Sequence, residues 1–305
     1  MHEVLSAREV PLGGPRAMLV RRALPGRNIR TIGPWCFVDH YGPTGARGTG
    51  GMDVPPHPHT GLQTVSWLLE GEVLHHDSLG SRAVIRPGEL NLITSGHGIA
   101  HSEQSTGRPS VLHGVQLWVA LPDADRHQPP HFEHHADLPS WSDRKASATV
   151  VMGSLGGVTS PARAYSPIVG AHLRLAAGAI ETVPLERTFE HAVLLLEGSA
   201  SVDGVPLEIG SLLYLGGSRT DLAVASDRPA QVLLIGGAPF EEDLLMWWNF
   251  VGRTYDEIVE ARTVWEAGPS RRFDHVAGYQ GDRLAAPALP TTVLKARPAR
   301  RLTAR

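Results

Sequence analysis

Two pairs of residues in this chain are of metal-ligating type and stand at the spacing of a β-strand face. In "GMDVPPHPHTGLQ" His57 and His59 flank a proline, and in "TSGHGIAHSEQS" His101 and Glu103 flank a serine. Successive strand residues point to opposite faces, so positions i and i+2 share one. Two imidazoles turned into an apolar interior need hydrogen bonds or a metal to compensate them. If the two stretches are neighbouring strands about 5 Å apart, three imidazoles and one carboxylate converge. That donor set suits iron, and also copper, nickel, manganese or zinc. Four protein ligands on an octahedral ion leave two adjacent positions open, the mark of a catalytic rather than a closed structural site. One H-x-H alone reads as hydrogen-bonded strand residues; two such pairs in one β domain favour the metal.

The surrounding text supplies the strands. From about Arg30 to Pro122, short apolar runs alternate with turns at Glu70-Gly71, Asp77-Gly80 and Pro87-Gly88. The segment "DADRHQPPHFEHHADLPS" is polar and proline-rich and reads as a surface loop joining two halves. The second half repeats the first in outline: Leu68–Gly71 and Leu195–Gly198 both spell L-L-E-G, each followed by a strand, a turn and a glycine-led strand. Beyond Gly237 the pattern turns helical. Thr254 with Glu257 three residues on forms a capping box, Ile258, Ala261 and Trp265 recur at helical spacing, and Gly268-Pro269 stops the helix. Trp247 and Trp248 are read as packing anchors. The expected division is a metal-binding unit over 1–135, a metal-free unit plus helix over 136–270, and a flexible tail over 271–305, basic from Arg283 onward.

Composition narrows the class. The chain has 305 residues, 42% hydrophobic, with 28 Lys and Arg against 31 Asp and Glu. A formal charge of -3 predicts no direct nucleic-acid partner and no anionic membrane surface. The lone cysteine, Cys36, forms no internal disulfide, fits a reducing compartment, and lies between Trp35 and Phe37 as a packing residue. The start "MHEVLSAREVPLGG" lacks the apolar core of a signal peptide, and no apolar run is long enough to span a bilayer. The expected location is cytoplasmic.

At this point the motifs become specific. Gly51, five residues and His57-x-His59 match the first histidine motif of the cupin superfamily. The fuller text resembles the pirin family of two-cupin proteins in "IGPWCFVDHYGP", "HPHTGLQTVSWLLEGEVLHHDS", "PGELNLITSGHGIAHSE" and "GVQLWVALP". The second half is similar to pirin only in length and strand pattern. The resemblance implies an all-β fold of two tandem cupin (jelly-roll) barrels with a short C-terminal helix. It also implies one divalent ion, Fe(II), held by His57, His59, His101 and Glu103, the four already singled out by strand parity. Some bacterial members are quercetin 2,3-dioxygenases that open a flavonol with O2; eukaryotic members are nuclear co-regulators that bind transcription factors. Two readings follow: an oxygenase taking a flavonoid-like molecule and O2, and a non-catalytic, redox-sensing module that binds a protein partner.

One departure from the cupin pattern is Gln63, where glutamate is usual. Its neutral amide can orient a ligand by hydrogen bonding but cannot serve as a carboxylate base. Glu103 is then the ligand and the proton acceptor, and Gln63 a supporting residue behind the metal. Val65, Trp67 and Leu92 are the expected pocket walls. Of the remaining histidines, His75 or His76 stands behind the metal or at a strand end, His97 lies in an exposed loop, and His131, His134 and His135 are solvated. Aligning the two repeats on their glycines puts Pro184, Glu186, Ala223 and Ala225 at the ligand positions of the second barrel, which predicts a metal-free, structural role for it.

Overall fold

The computed structural model describes residues 2–12, 18–44, 51–106 and 111–298. The chain begins with β1 (Glu3–Leu5), β2 (Arg8–Pro11), β3 (Leu19–Leu24) and β4 (Trp35–Thr44). There follow β5 (Asp53–His59), β6 (Leu62–Glu70), β7 (Val73–Asp77), β8 (Arg82–Ile85) and β9 (Leu90–Thr94). The first half closes with β10 (Ile99–Ser105), β11 (Leu112–Ala120) and β12 (His131–His135). The second half runs β13 (Ser140–Ser142), β14 (Ala146–Leu155), β15 (Val158–Thr159), β16 (Ile168–Leu175), β17 (Ala179–Pro184) and β18 (Glu190–Glu197). It continues with β19 (Ser201–Val202), β20 (Val205–Pro206), β21 (Leu212–Gly217), β22 (Asp221–Ser226) and β23 (Ala230–Gly237). A hairpin of β24 (Leu245–Trp247) and β25 (Phe250–Gly252) precedes α1 (Tyr255–Glu266).

Each half is a two-sheet barrel, and the strand orders correspond apart from β15, which pairs only with β14 in the second half. The first pairs a sheet of order β12-β9-β6-β11-β4-β3-β2 with a smaller one of order β5-β10-β7-β8. The second pairs β1-β21-β18-β23-β16-β14-β13 with β17-β22-β19-β20. The chain therefore has the two tandem β units its repeats predict, in the jelly-roll form the resemblance implies. The strands correspond, β17 lying on β22 as β5 lies on β10, but the register corrects the glycine alignment. Pro184 stands opposite Asp221 and Thr182 opposite Ala223, whereas His57 stands opposite His101, and Pro184, Glu186 and Ala223 are exposed.

The large sheets pack face to face, and this placement corrects the expected pocket walls. Val65, Trp67 and Leu92 share a buried cluster with Met152, Leu194 and Leu233 of the second half. They seal the two barrels together and do not line the first one. The cause is that β6 is buried on both faces, so apolar character does not mark the barrel interior. Inward-facing positions of β6 are the polar ones, such as Ser66.

Three further expectations change. The segment around His131 is not all loop: β12 is an edge strand on β9, with His131 opposite Thr94 and His135 opposite Leu90. The boundary at 135 does not separate the sheets, because β1 crosses over to pair with β21 of the second barrel. Residues 271–298 have no helix or strand, yet they fold back on the first barrel; the Leu284 N–H donates to the Pro56 carbonyl at 2.9 Å. Phe273 and Val276 join Trp265 and Phe250 in one buried cluster. Residues 299–305 of the expected tail lie outside the described residues.

The helix forms as its spacing predicts. Thr254 caps it by accepting from the Glu257 N–H, and Ile258, Ala261 and Trp265 are its buried face. The box is only half closed, because the Glu257 carboxylate accepts from the Arg253 N–H at 2.8 Å and binds Arg126 through both guanidinium nitrogens. Among the described residues no helix is long and apolar enough to cross a membrane.

Several buried imidazoles tie stability to pH. His40 and His172 are pushed down to about 3, and His57 and His191 to about 4, in each case chiefly by burial. The unfolded chain takes up these protons near pH 6.5 whereas the folded chain resists them. Stability is thus full above about 6.5 and is lost as pH falls toward 4. The urea midpoint of metal-free protein should drop across that window. A His172→Gln variant, whose side chain faces Trp67 across the domain interface, should flatten the slope; an unchanged slope would remove His172 from the account.

Candidate metal centre

Strands β5 and β10 are antiparallel neighbours, and His57 lies directly opposite His101, with His59 opposite Ile99. The register shifts between His101 and Glu103, but all four residues line one cavity of about 610 Å³. Three of them form a tight cluster. Ring centroids of His57 and His101 lie 4.3 Å apart, and His59 is 5.0 Å from each of the other two. One ring nitrogen from each of the three sits within 4.8 Å of the others. Glu103 is outside this tight group; its Oε1 lies 3.2 Å from the Ser66 hydroxyl.

The hydrogen bonds set the tautomers. Nδ1 of His57 is 2.9 Å from the Pro55 carbonyl, and Nδ1 of His59 is 3.2 Å from the Asn249 carbonyl. A carbonyl can only accept, so both rings carry their proton on Nδ1 and leave Nε2 as a lone pair. Nε2 of His59 faces Nε2 of His101 at 3.1 Å. Burial, reinforced by the other imidazoles, holds His59 and His101 well below the usual histidine range. Neutral, buried, convergent imidazoles, two of them with fixed tautomers, are the donor set that can hold a transition metal. Nδ1 of His101 is buried without a partner among the described residues, and its ring is positioned instead by its neighbours.

Around the cluster the walls are aromatic and polar. His75 is buried, stacks on Phe132 at 4.7 Å, places Nε2 at 3.2 Å from Asp77, and brings its ring to 5.4 Å from His101. It stands beside the cluster, and His76 is buried as well. Burial raises the pKa of Glu103, against the opposing pull of His75 and Ser66. Trp118 meets His59 edge to face at 5.2 Å and stacks on Phe37 at 4.0 Å. Arg22 covers Phe37 at 4.3 Å and holds Asp39 through two bonds of 2.8 and 2.7 Å. The outer rim is Trp248, Leu284 and Pro287.

Trp248 is more than the packing anchor its sequence position suggests. It is half-buried at the turn of the β24–β25 hairpin with φ 52°, in the left-handed region that bulky residues seldom enter. Strain of that kind costs about 1–3 kcal/mol, and the turn it creates aims the Asn249 carbonyl at His59.

Other positions fall elsewhere. Gln63 points away from the cluster, donating to Thr94 Oγ1 and to the Arg163 carbonyl, both at 3.0 Å; it ties the barrels together and does not stand behind the metal. Its parity puts it on the same face of β6 as Val65 and Trp67. His97 is half-buried, with Nδ1 at 3.1 Å from the Gln128 carbonyl. His131 and His135 flank Glu133 at 3.1 Å each, and His134 lies 2.7 Å from Asn91. All three are strand residues; His131 and His135 are half-buried, whereas His134 is exposed as expected. Sequence reading missed Arg22, Ser66, Trp118 and Gln116, the last a cavity residue whose Oε1 accepts from the Ser66 hydroxyl at 2.8 Å. Trp118 stood in plain view within "GVQLWVALP", whereas the Asn249 carbonyl, being backbone, leaves no mark in residue type.

Comparison with known proteins agrees with this geometry. Residues 17–119 match the family model described as Pirin, and residues 170–273 match that of the Pirin C-terminal cupin domain. The chain belongs to the pirin family. A Pseudomonas aeruginosa pirin relative with the provisional name quercetin 2,3-dioxygenase PA1205 is 45% identical over 286 residues, 94% of this chain and 90% of that protein. A pirin-like protein of Caulobacter vibrioides is 37% identical over 273 residues, covering 87% and 93%. The crystal structure of an Acinetobacter baumannii protein titled quercetin 2,3-dioxygenase superposes with a TM-score of 0.92 at 40% identity, covering 97% of both chains. The pirin assignment thus spans both barrels, including the second, whose sequence carries little more than a strand pattern.

Proposed function

We propose that this pirin-family protein is a mononuclear metal dioxygenase of the quercetin 2,3-dioxygenase type, opening a flavonol-like substrate with O2. His57, His59, His101 and Glu103 would hold one divalent ion, Fe(II). The observation that carries this reading is the cluster of three neutral imidazoles at the base of a cavity of about 610 Å³ with an aromatic wall. The names of the 40–45% identical relatives support the substrate class.

When bound, the ion supplies a Lewis acid that lowers the pKa of a substrate hydroxyl and brings O2 beside it. The rest falls to the chain. Trp118 offers apolar surface to a planar ring, and the Arg22 guanidinium, stacked over Phe37, offers the N–H groups not bound to Asp39 to ring oxygens. Trp248 and the Leu284–Pro287 segment cover the opening and exclude water. Glu103, its pKa raised by burial, takes the proton that the substrate hydroxyl gives up, and Ser66 keeps that carboxylate in place. Asn249 and Pro55 hold the rings of His59 and His57 in the tautomer the metal needs.

The test is oxygen consumption with quercetin by iron-loaded protein. Uptake matching substrate loss is expected from the native chain, and none above background from His57→Ala. If native protein with a full complement of iron consumes no oxygen with any of a small flavonol panel, the dioxygenase reading fails.

A further inference from the structure

Segments 27–31, 240–246 and 293–298 enclose a groove of about 620 Å³ that shares no lining residue with the histidine cavity. Its floor is apolar, with Phe240, Leu244 and Leu245 buried beneath it. Its sides carry Arg27, Arg30, Lys295 and Arg297, all exposed. The groove is built rather than incidental: Leu244 and Arg297 exchange both backbone hydrogen bonds, at 3.1 and 2.8 Å, which clamps the C-terminal segment against the start of the hairpin.

Charge in the groove is unbalanced. The acidic side chain on its wall, Glu242, is already engaged by the Asp123 N–H at 2.9 Å and by Arg253 Nε at 3.0 Å. Among the described residues, the four cationic side chains have neither a hydrogen bond nor an ion pair. Burial, and then the charge of Arg297, lower the pKa of the Arg30 guanidinium. Gathering like charges over an apolar floor is unfavourable until an anion enters, and guanidinium forks match the oxygens of phosphate and carboxylate groups.

We infer that this groove is a second binding site, for a small organic anion with a phosphate or carboxylate head and an apolar body. The head would sit between Arg30 and Arg297, with Arg27 and Lys295 adding field, and the body would lie on Leu245 and Met246. The site is independent of the metal and of the dioxygenase reading.

Calorimetric titration of full-length protein with 2-naphthyl phosphate tests this, with inorganic phosphate as the head alone and 2-naphthol as the body alone. Only the combined probe should bind well, with inorganic phosphate at least tenfold weaker. Arg30→Glu and Arg297→Glu should each weaken the combined probe at least tenfold, while Arg27→Ala with Lys295→Ala weakens it a few-fold. All four side chains are exposed, so these variants should keep the native melting temperature. His57→Ala, which disturbs the other cavity, should bind the probe as native protein does. No binding by native protein, binding untouched by both glutamate variants, or binding lost in His57→Ala would each overturn the inference.

Discussion

His101→Ala is expected to leave the protein folded and nearly free of metal. His101 lies directly opposite His57 and within 3.1 Å of His59, so it is the ring common to both close pairs of the cluster. Removing a hydrogen-bond partner of a ligand typically costs about 10–100-fold in metal affinity, and removing a ligand should cost more. Iron content after native purification should fall from about one per chain to a small fraction of that, on the one-ion, four-ligand reading. Oxygen uptake should vanish with it. The fold should survive, because the change deletes a buried imidazole whose Nδ1 has no partner among the described residues. Truncation of a buried side chain carries its own cavity cost, of roughly 2–4 kcal/mol. Elemental analysis beside a thermal melt separates the two effects. Full iron content in a folded His101→Ala protein would contradict the assignment of this ring.

The second large effect is expected at a residue with no side chain to ligate anything. Gly61 follows the ligand strand by two residues and adopts φ +70°, and a Cβ there would run into the Val251 carbonyl oxygen. That contact is where the β24–β25 hairpin docks: Thr60 bridges to Phe250, and the Val251 N–H donates to the Thr60 carbonyl at 3.0 Å. The same hairpin delivers the Asn249 carbonyl to His59. Gly61→Ala must therefore push the hairpin outward and loosen the tautomer lock on one ligand. The left-handed φ alone costs about 1–2 kcal/mol for a residue with a Cβ, and the backbone clash adds to it, so a total of about 2–4 kcal/mol is expected. Iron affinity should fall about 10–100-fold, as for other lost partners of ligands. Gly80→Ala is the control. Gly80 has φ +86° with nothing within 4 Å of its missing Cβ, so it should lose only the conformational part and no iron. Equal stability losses in the two variants, with iron affinity intact in both, would show that the hairpin does not support the site.

How much of this was legible in the residues depends on what each signal measures. The pairing of His57 with His101 could be read because strand alternation is a two-residue rule and antiparallel neighbours are close in this fold. The cap at Thr254 could be read because a hydroxyl before an apolar helical stripe has one economical use. Which face of β6 looks inward could not. Both faces are buried, so Val65 and Trp67 look alike whether they line a cavity or weld two barrels, and Gln63 was misplaced with them. Strand β12 was hidden for the opposite reason. As an edge strand it tolerates the histidines and glutamate that elsewhere mark a loop. The closing segment, Leu284 to Pro287, carries no periodicity because it covers the cavity as extended chain, anchored by backbone bonds that any residue could make. The second barrel shows the same limit from the other side. The buried positions of β17 and β22 are apolar, Val183, Leu222 and Val224, so what persists is the strand order.

Diffraction from iron-loaded crystals, recorded on both sides of the iron absorption edge, tests the central claim most directly. The account predicts one strong anomalous peak per chain, within bonding distance of Nε2 of His57, His59 and His101 and facing the Glu103 carboxylate. A peak elsewhere, such as at His131 and His135, or no peak in protein shown to contain iron, would contradict it.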